Sequence, residues 1–345
     1  MRTPRHRAVP LALLALTALG ACGSSGPGAT PKGQADTGPI TLYSGQHEET
    51  VTALAKDFEA RTGVKVKVRS SDEADLANQL LQEGKDTPAD VYFAENPPSL
   101  NLVDNKHLLG PVDAATLAAI PAPNSAPNGH WVGVTARTVS LAFNTKALSE
   151  SQLPTSVMDL ALPALKDKIG IAPGETDFQP VVTAIAKLGG VDTATRWLKG
   201  LKTNAKVYDD NEGVMAAVDA GQVATGLLDH YYWYRFNDQA NGKVASALHS
   251  FAPGDAGALV DVSGAAVLAG SKHPAAAQAF LAYLVSAPAQ QLIAHSQSWE
   301  YPLAAGVAPR AGVAPLPSLT PAPLTVSDLG DGAQALDLLR AVGLL

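Results

Sequence analysis

Two adjacent phenols, Tyr231 and Tyr232, an imidazole, His47, and a carboxylate, Glu95, are the side chains of this sequence whose joint chemistry is most specific. Their donors are hard and mostly oxygen, which suits a small trivalent cation such as ferric iron. Tyrosine is a poor ligand for most divalent ions, because its pKa of about 10 keeps phenolate scarce near neutrality. A trivalent ion changes that balance, since a bound cation lowers the pKa of its own ligands and binding releases their protons. Two phenolates and a carboxylate match the charge of Fe(III), and His47 adds a neutral nitrogen. Two positions of an octahedron then remain for water or an anion.

Each group also has a plainer reading. Tyr231-Tyr-Trp-Tyr234 fits an aromatic floor, His47 before Glu48 and Glu49 fits a cap or a surface residue, and Glu95 fits a cap for the Pro97-Pro98 turn. The run His47-Glu-Glu-Thr-Val51 lacks the second histidine of a zincin motif, and neither a phosphate-binding glycine loop nor a nucleophile elbow occurs. An enzyme has no support in the motifs. Two rival readings remain open: a binding protein for an organic solute such as a polyamine or phosphonate, seated on the aromatic cluster, and a secreted hydrolase in which His47 and Glu95 hold a catalytic divalent ion.

The elements that would position these groups alternate. Ile40-Thr-Leu-Tyr43 reads as a strand, followed by a helix whose apolar face is Val51, Leu54, Ala55 and Phe58 and which stops at Gly63. Val64 to Val68 alternates like a strand with one wet face. A helix over Asp75 to Gln82 and a strand over Asp90 to Ala94 complete a βαβαβ order, the mark of an open α/β sheet whose ligands lie beyond the carboxyl ends of strands. His47, Glu95 and the tyrosine pair, which follows the strand Ala224 to Leu228, are all expected at strand ends. Helices are expected over Gln179 to Leu188, Thr193 to Leu201, Ala275 to Val285 and Gly332 to Val342. Trp131 to Phe143 and Gly257 to Leu268 read as two long extended crossings between lobes, which describes a hinged clamshell. The expected lobes are 39–137 with 263–312, and 138–262, with 313–345 as a Pro-rich wrap and final helix.

With 345 residues, 46% of them hydrophobic, the chain can fill two cores. A formal charge of −7 and a pI near 5.6 leave no basic stripe for nucleic acid but accommodate a metal cation. Residues 1–21 read as an export signal: Arg2, Arg5 and Arg7 precede an apolar run from Ala8 to Thr17, too short for a good membrane span. Leu19-Gly-Ala-Cys22 resembles a bacterial lipobox, which implies cleavage before Cys22 and a lipid on its sulfur. Cys22 is the single cysteine, so no intrachain disulfide is expected. Residues 22–38 read as a flexible tether.

From about Ile40 to Leu303 the chain resembles the ferric-ion-binding proteins of bacterial ABC importers. The landmarks are Leu42-Tyr-Ser-Gly-Gln-His47-Glu-Glu, Ala89-Asp-Val-Tyr-Phe-Ala-Glu95, Tyr231-Tyr-Trp, Pro253-Gly, Ser263-Gly-Ala-Ala-Val-Leu and Glu300-Tyr-Pro-Leu303. The resemblance implies a two-lobed type II periplasmic-binding-protein fold, Fe(III) as cargo on His47, Glu95, Tyr231 and Tyr232, and a permease with its ATPase as partners of a monomer. It departs at the anion site, where relatives carry a Ser-Gly-Ala turn and an asparagine. Here stand Glu175, Thr176 and Asp177, and then Asp229; Asn96 and Asn211 match polar contacts of the family. Three carboxylates would repel phosphate. Glu175 or Asp177 is therefore expected either to take the anion's place at a helix N-terminus or to face solvent and cap that helix.

Overall fold

The structure, a computed structural model, describes residues 38–345. The export signal, most of the tether and Cys22 lie outside the described residues.

Ten strands form one continuous sheet: β1 (Ile40–Ser44), β2 (Val66–Ser70), β3 (Val91–Ala94), β4 (Val132–Asn144), β5 (Ile169–Ile171), β6 (Ala205–Val207), β7 (Thr225–Asp229), β8 (Ser246–His249), β9 (Val260–Val267) and β10 (Tyr301–Pro302). Their order is β2-β1-β3-β9-β4-β7-β5-β6, with β8 and β10 also paired to β4. The β2-β1-β3 and β6-β5-β7 groups are internally parallel, whereas β4 and β9 run antiparallel to their neighbours. The architecture is the expected two-lobed α/β clamshell.

β4 is the long crossing. Its residues 132–138 pair with β9, from Val132↔Ala265 to Thr138↔Val260, and residues 139–143 pair with β7, from Val139↔Asp229 to Phe143↔Thr225. Nearly all of β4 is buried, its polar residues Thr135, Arg137, Ser140 and Asn144 included. A register shift between Gly133 and Thr135 bends it where a Cβ on Gly133 would lie 2.1 Å from the Asn124 carbonyl oxygen. The apolar core divides at the same place. One cluster draws on residues from Ile40 to Ala136 and from Val262 to Val326. A second runs from Val139 to Leu201, gathers Leu227, Phe251 and Leu259, and is closed by Leu329, Ala335, Leu339 and Val342.

Two local expectations need correction. The strand expected over Val64 to Val68 is paired only from Val66 to Ser70. Gly63, at φ 77°, ends the preceding helix and turns Val64 into the core, while Glu59 holds the Val66 N–H at 2.9 Å. Tyr231 and Tyr232 are not at a strand end but in the first turn of the helix His230–Gln239, which starts directly after β7.

Candidate metal site

β1 ends at Ser44, and the chain reaches His47 at the N-cap of the helix Glu48–Thr62; β3 ends at Ala94, immediately before Glu95. These two side chains meet with His47 Nδ1 3.5 Å from Glu95 Oε1. The Tyr231 ring lies edge-on to the His47 ring at 4.9 Å, and Tyr232 lies 4.3 Å from Tyr231 between ring centroids. All four sequence-predicted donors thus converge where the two halves of the sheet face each other.

The turn before the helix Phe178–Gly189 brings a fifth group. Asp177 Oδ2 accepts the Tyr231 hydroxyl at 3.1 Å and the Tyr232 hydroxyl at 3.2 Å. Although Asp177 occupies the N-cap position, its side chain makes no capping hydrogen bond, and the residue is buried. The solvent-facing, capping role is therefore wrong for Asp177. Glu175 is half-buried and, among the described residues, makes no side-chain hydrogen bond to the donors. Asn96 donates through Nδ2 to Asp177 Oδ1 at 3.3 Å, to Thr176 Oγ1 at 3.4 Å and to Glu73 Oε1 at 2.7 Å. Asn211 and Asp229 are both buried, Asp229 at the end of β7. Between Asp177, Asn211 and Asp229 lies a cavity of about 10 Å³, room for about one water and not for phosphate.

Sequence reasoning missed Arg137. This residue is 0% exposed on β4, and its guanidinium faces four carboxylates: Asp229 at 3.4 Å, Asp177 and Glu300 at 3.6 Å, and Asp261 at 3.9 Å. Nη2 also donates to Asn96 Oδ1. A lone arginine inside the apolar run Trp131 to Phe143 was a usable signal, because a buried charge requires partners. Asp261, its cross-strand neighbour, and Glu73 carried no local signal at all.

The electrostatics follow from burial. Burial, with Arg235 and Arg137 nearby, pushes His47 down to about 3, so its imidazole is neutral, and its buried Nε2 has no hydrogen-bond partner. Burial, then the neighbouring Asp177, holds Glu95 and both phenols well above their usual ranges. Burial raises Glu73 and Glu300 to about 7 and Asp261 to about 6. The site is thus crowded with acids and has one internal cation, a neutral imidazole lone pair and two phenols aimed at one carboxylate oxygen. Among the described residues no three His, Cys, Asp or Glu side chains form a metal-ligating group.

Comparison with known proteins gives the family. The family model for bacterial extracellular solute-binding proteins matches residues 86–318. The chain belongs to this family. The solute-binding protein is 38% identical over 339 residues to the Fe(3+)-binding periplasmic protein of Serratia marcescens, covering 97% of each chain. It is 35% identical to the major ferric iron-binding protein of Neisseria meningitidis serogroup B, across 88% of this chain and 93% of that one. Iron-bound HitA from Pseudomonas aeruginosa superposes on 88% of the solute-binding protein and 99% of its own chain, with a TM-score of 0.85 and 42% identity. These relatives are iron-binding proteins, and this chain, a solute-binding protein, is not an enzyme.

Proposed function

We propose that this solute-binding protein captures Fe(III) between its lobes on His47, Glu95, Tyr231 and Tyr232, and that Asp177 serves as a built-in anionic donor. The convergence of both phenols on Asp177 Oδ2 carries this reading. A carboxylate already stands where an exogenous anion would otherwise be needed. The unpartnered Nε2 of neutral His47 is a further donor in waiting. The names and iron-bound state of its relatives support iron as the cargo.

Closure completes the shell. His47 and Glu95 follow β1 and β3, whereas Asp177 and the tyrosines follow β5 and β7. The lobes exchange near residues 137/138 and 262/263, consistent with the division of the core at Ala136/Val139. A ligand set split across that boundary binds iron fully only when closed, so iron shifts the equilibrium toward closure. The loaded protein delivers iron to a membrane permease driven by a cytoplasmic ATPase. It acts as an exported monomer, tethered by a lipid on Cys22.

The decisive experiment is metal analysis and visible spectroscopy of protein purified without added metal and then titrated with Fe(III). One iron per chain with a phenolate charge-transfer band is expected. A colourless protein that takes up no iron would leave an organic solute as the cargo.

A further inference from the structure

We propose that Arg137 is a positioning residue for the ferric site, holding the Oδ1 edge of Asp177 so that Oδ2 is the oxygen presented to the phenols and their metal; this rests on the donor assignment above. A carboxylate has two equivalent oxygens and rotates between them unless its surroundings distinguish them. Here they do. Oδ1 faces Arg137 Nη2 at 3.6 Å and Asn96 Nδ2 at 3.3 Å, whereas Oδ2 accepts both phenols.

Arg137 is itself flanked by carboxylates from both sides of the cleft. Nη1 lies 3.6 Å from Glu300 and Nε 3.4 Å from Asp229, and Asn96 accepts from Nη2. Asp261 is its register partner across β9. Among the described residues only Nη2 makes a hydrogen bond, to Asn96, while Nε and Nη1 face Asp229 and Glu300 through charge alone; a lysine ammonium would keep the charge and lose the planar fork that spreads it over these carboxylates. Its backbone sits one residue before Thr138, the last position of β4 paired to β9, and two before Val139, the first paired to β7. Asp177 is therefore oriented from the strand about which the lobes exchange. Outer-shell partners of this kind fix the geometry of a ligand without touching the metal.

The test uses Arg137→Lys, which keeps the charge and removes the fork, and Arg137→Gln, each alone and combined with Asp177→Asn in the full chain loaded with Fe(III). With Asp177 Oδ2 no longer held, carboxylate donation weakens and the iron becomes more electrophilic. The phenolate charge-transfer band should then move to longer wavelength, and loss of iron to EDTA should be about ten- to hundredfold faster. Because Arg137 acts through Asp177, neither Arg137 variant should shift the band further in the Asp177→Asn background. An unshifted band in fully loaded Arg137→Lys and Arg137→Gln overturns the proposal, as does an additive shift in the double variants. Failure of both Arg137 variants to fold also overturns it, by making Arg137 a folding residue. An unmodified protein that takes no colour defeats the donor assignment and this proposal with it, whereas an effect of Asp177→Asn without one of Arg137 defeats this proposal alone.

Discussion

Asp177 Oδ2 accepts the Tyr231 hydroxyl at 3.1 Å, joining the turn after β5 to the helix after β7. Asp177→Asn removes the anionic donor and should weaken Fe(III) binding at least about tenfold, since a charged hydrogen-bonding partner contributes about 1.5–3 kcal/mol. Glu175→Gln should leave the visible band in place. The unmodified protein should load in phosphate-free buffer with little change on adding phosphate. Iron titrations followed in the visible region check all three, and strong phosphate dependence would refute the built-in donor.

Replacing Tyr231 and Tyr232 together by Phe should abolish the coloured complex while leaving the fold intact. Both rings are buried in a cluster with Val214, Met215 and Leu228, and Phe fills the same space without the hydroxyls. The far-UV circular dichroism spectrum should be retained. A double variant that keeps its colour and stoichiometric iron would show that the phenols are not ligands.

Iron binding should release protons. Burial, reinforced by Asp177, holds Tyr231 and Tyr232 well above the usual phenol range, so both are protonated in the iron-free protein at neutral pH, and burial raises Glu95 as well. His47, pushed down to about 3, has no proton to lose. Displacement from the phenols alone gives two protons per iron, so affinity should fall steeply as pH falls from 7. Indicator-dye measurements in weak buffer give the count. Release of less than one proton per iron would argue against phenolate ligation.

His230 should impose a stability loss in acid that is independent of iron. Its Nδ1 accepts the Thr138 N–H at 3.2 Å and its Nε2 lies 3.0 Å from the Trp299 carbonyl oxygen, an arrangement that fits only the neutral ring carrying its proton on Nε2. Burial pushes this histidine down to about 3. Between that value and the ordinary pKa of about 6.5 the unfolded chain binds a proton that the folded chain does not. Stability contributed by neutral His230 is therefore complete above about 6.5 and declines as pH falls, by up to about 1.4 kcal/mol per pH unit. In His230→Phe, which keeps a ring to stack on Tyr301, the pH dependence of urea unfolding between pH 6 and 4 should flatten by about one proton. An unchanged slope would remove His230 from the acid response.

Periodicity and turn residues alone determined the β1–β3 order, the apolar faces of the flanking helices and the two long crossings, because these depend on local spacing and on what one face of a helix or strand must bury. The candidate donor types were legible too: adjacent phenols, a histidine after a strand and a carboxylate after another strand suit a hard cation, with an organic solute and a divalent ion left as rivals. Several relationships needed the tertiary structure. Asp177 and Glu175 are near-equivalent in sequence, and only the folded turn directs one toward the phenols and leaves the other half-exposed. Arg137 looked like a break in an apolar strand, and its four carboxylate partners lie at sequence separations from 40 to 163 residues. Burial and charge compensation are properties of the assembled core. A residue's own neighbours in the chain state what it can do, and the distant groups that fold around it decide whether it is charged, which atom it presents and to what.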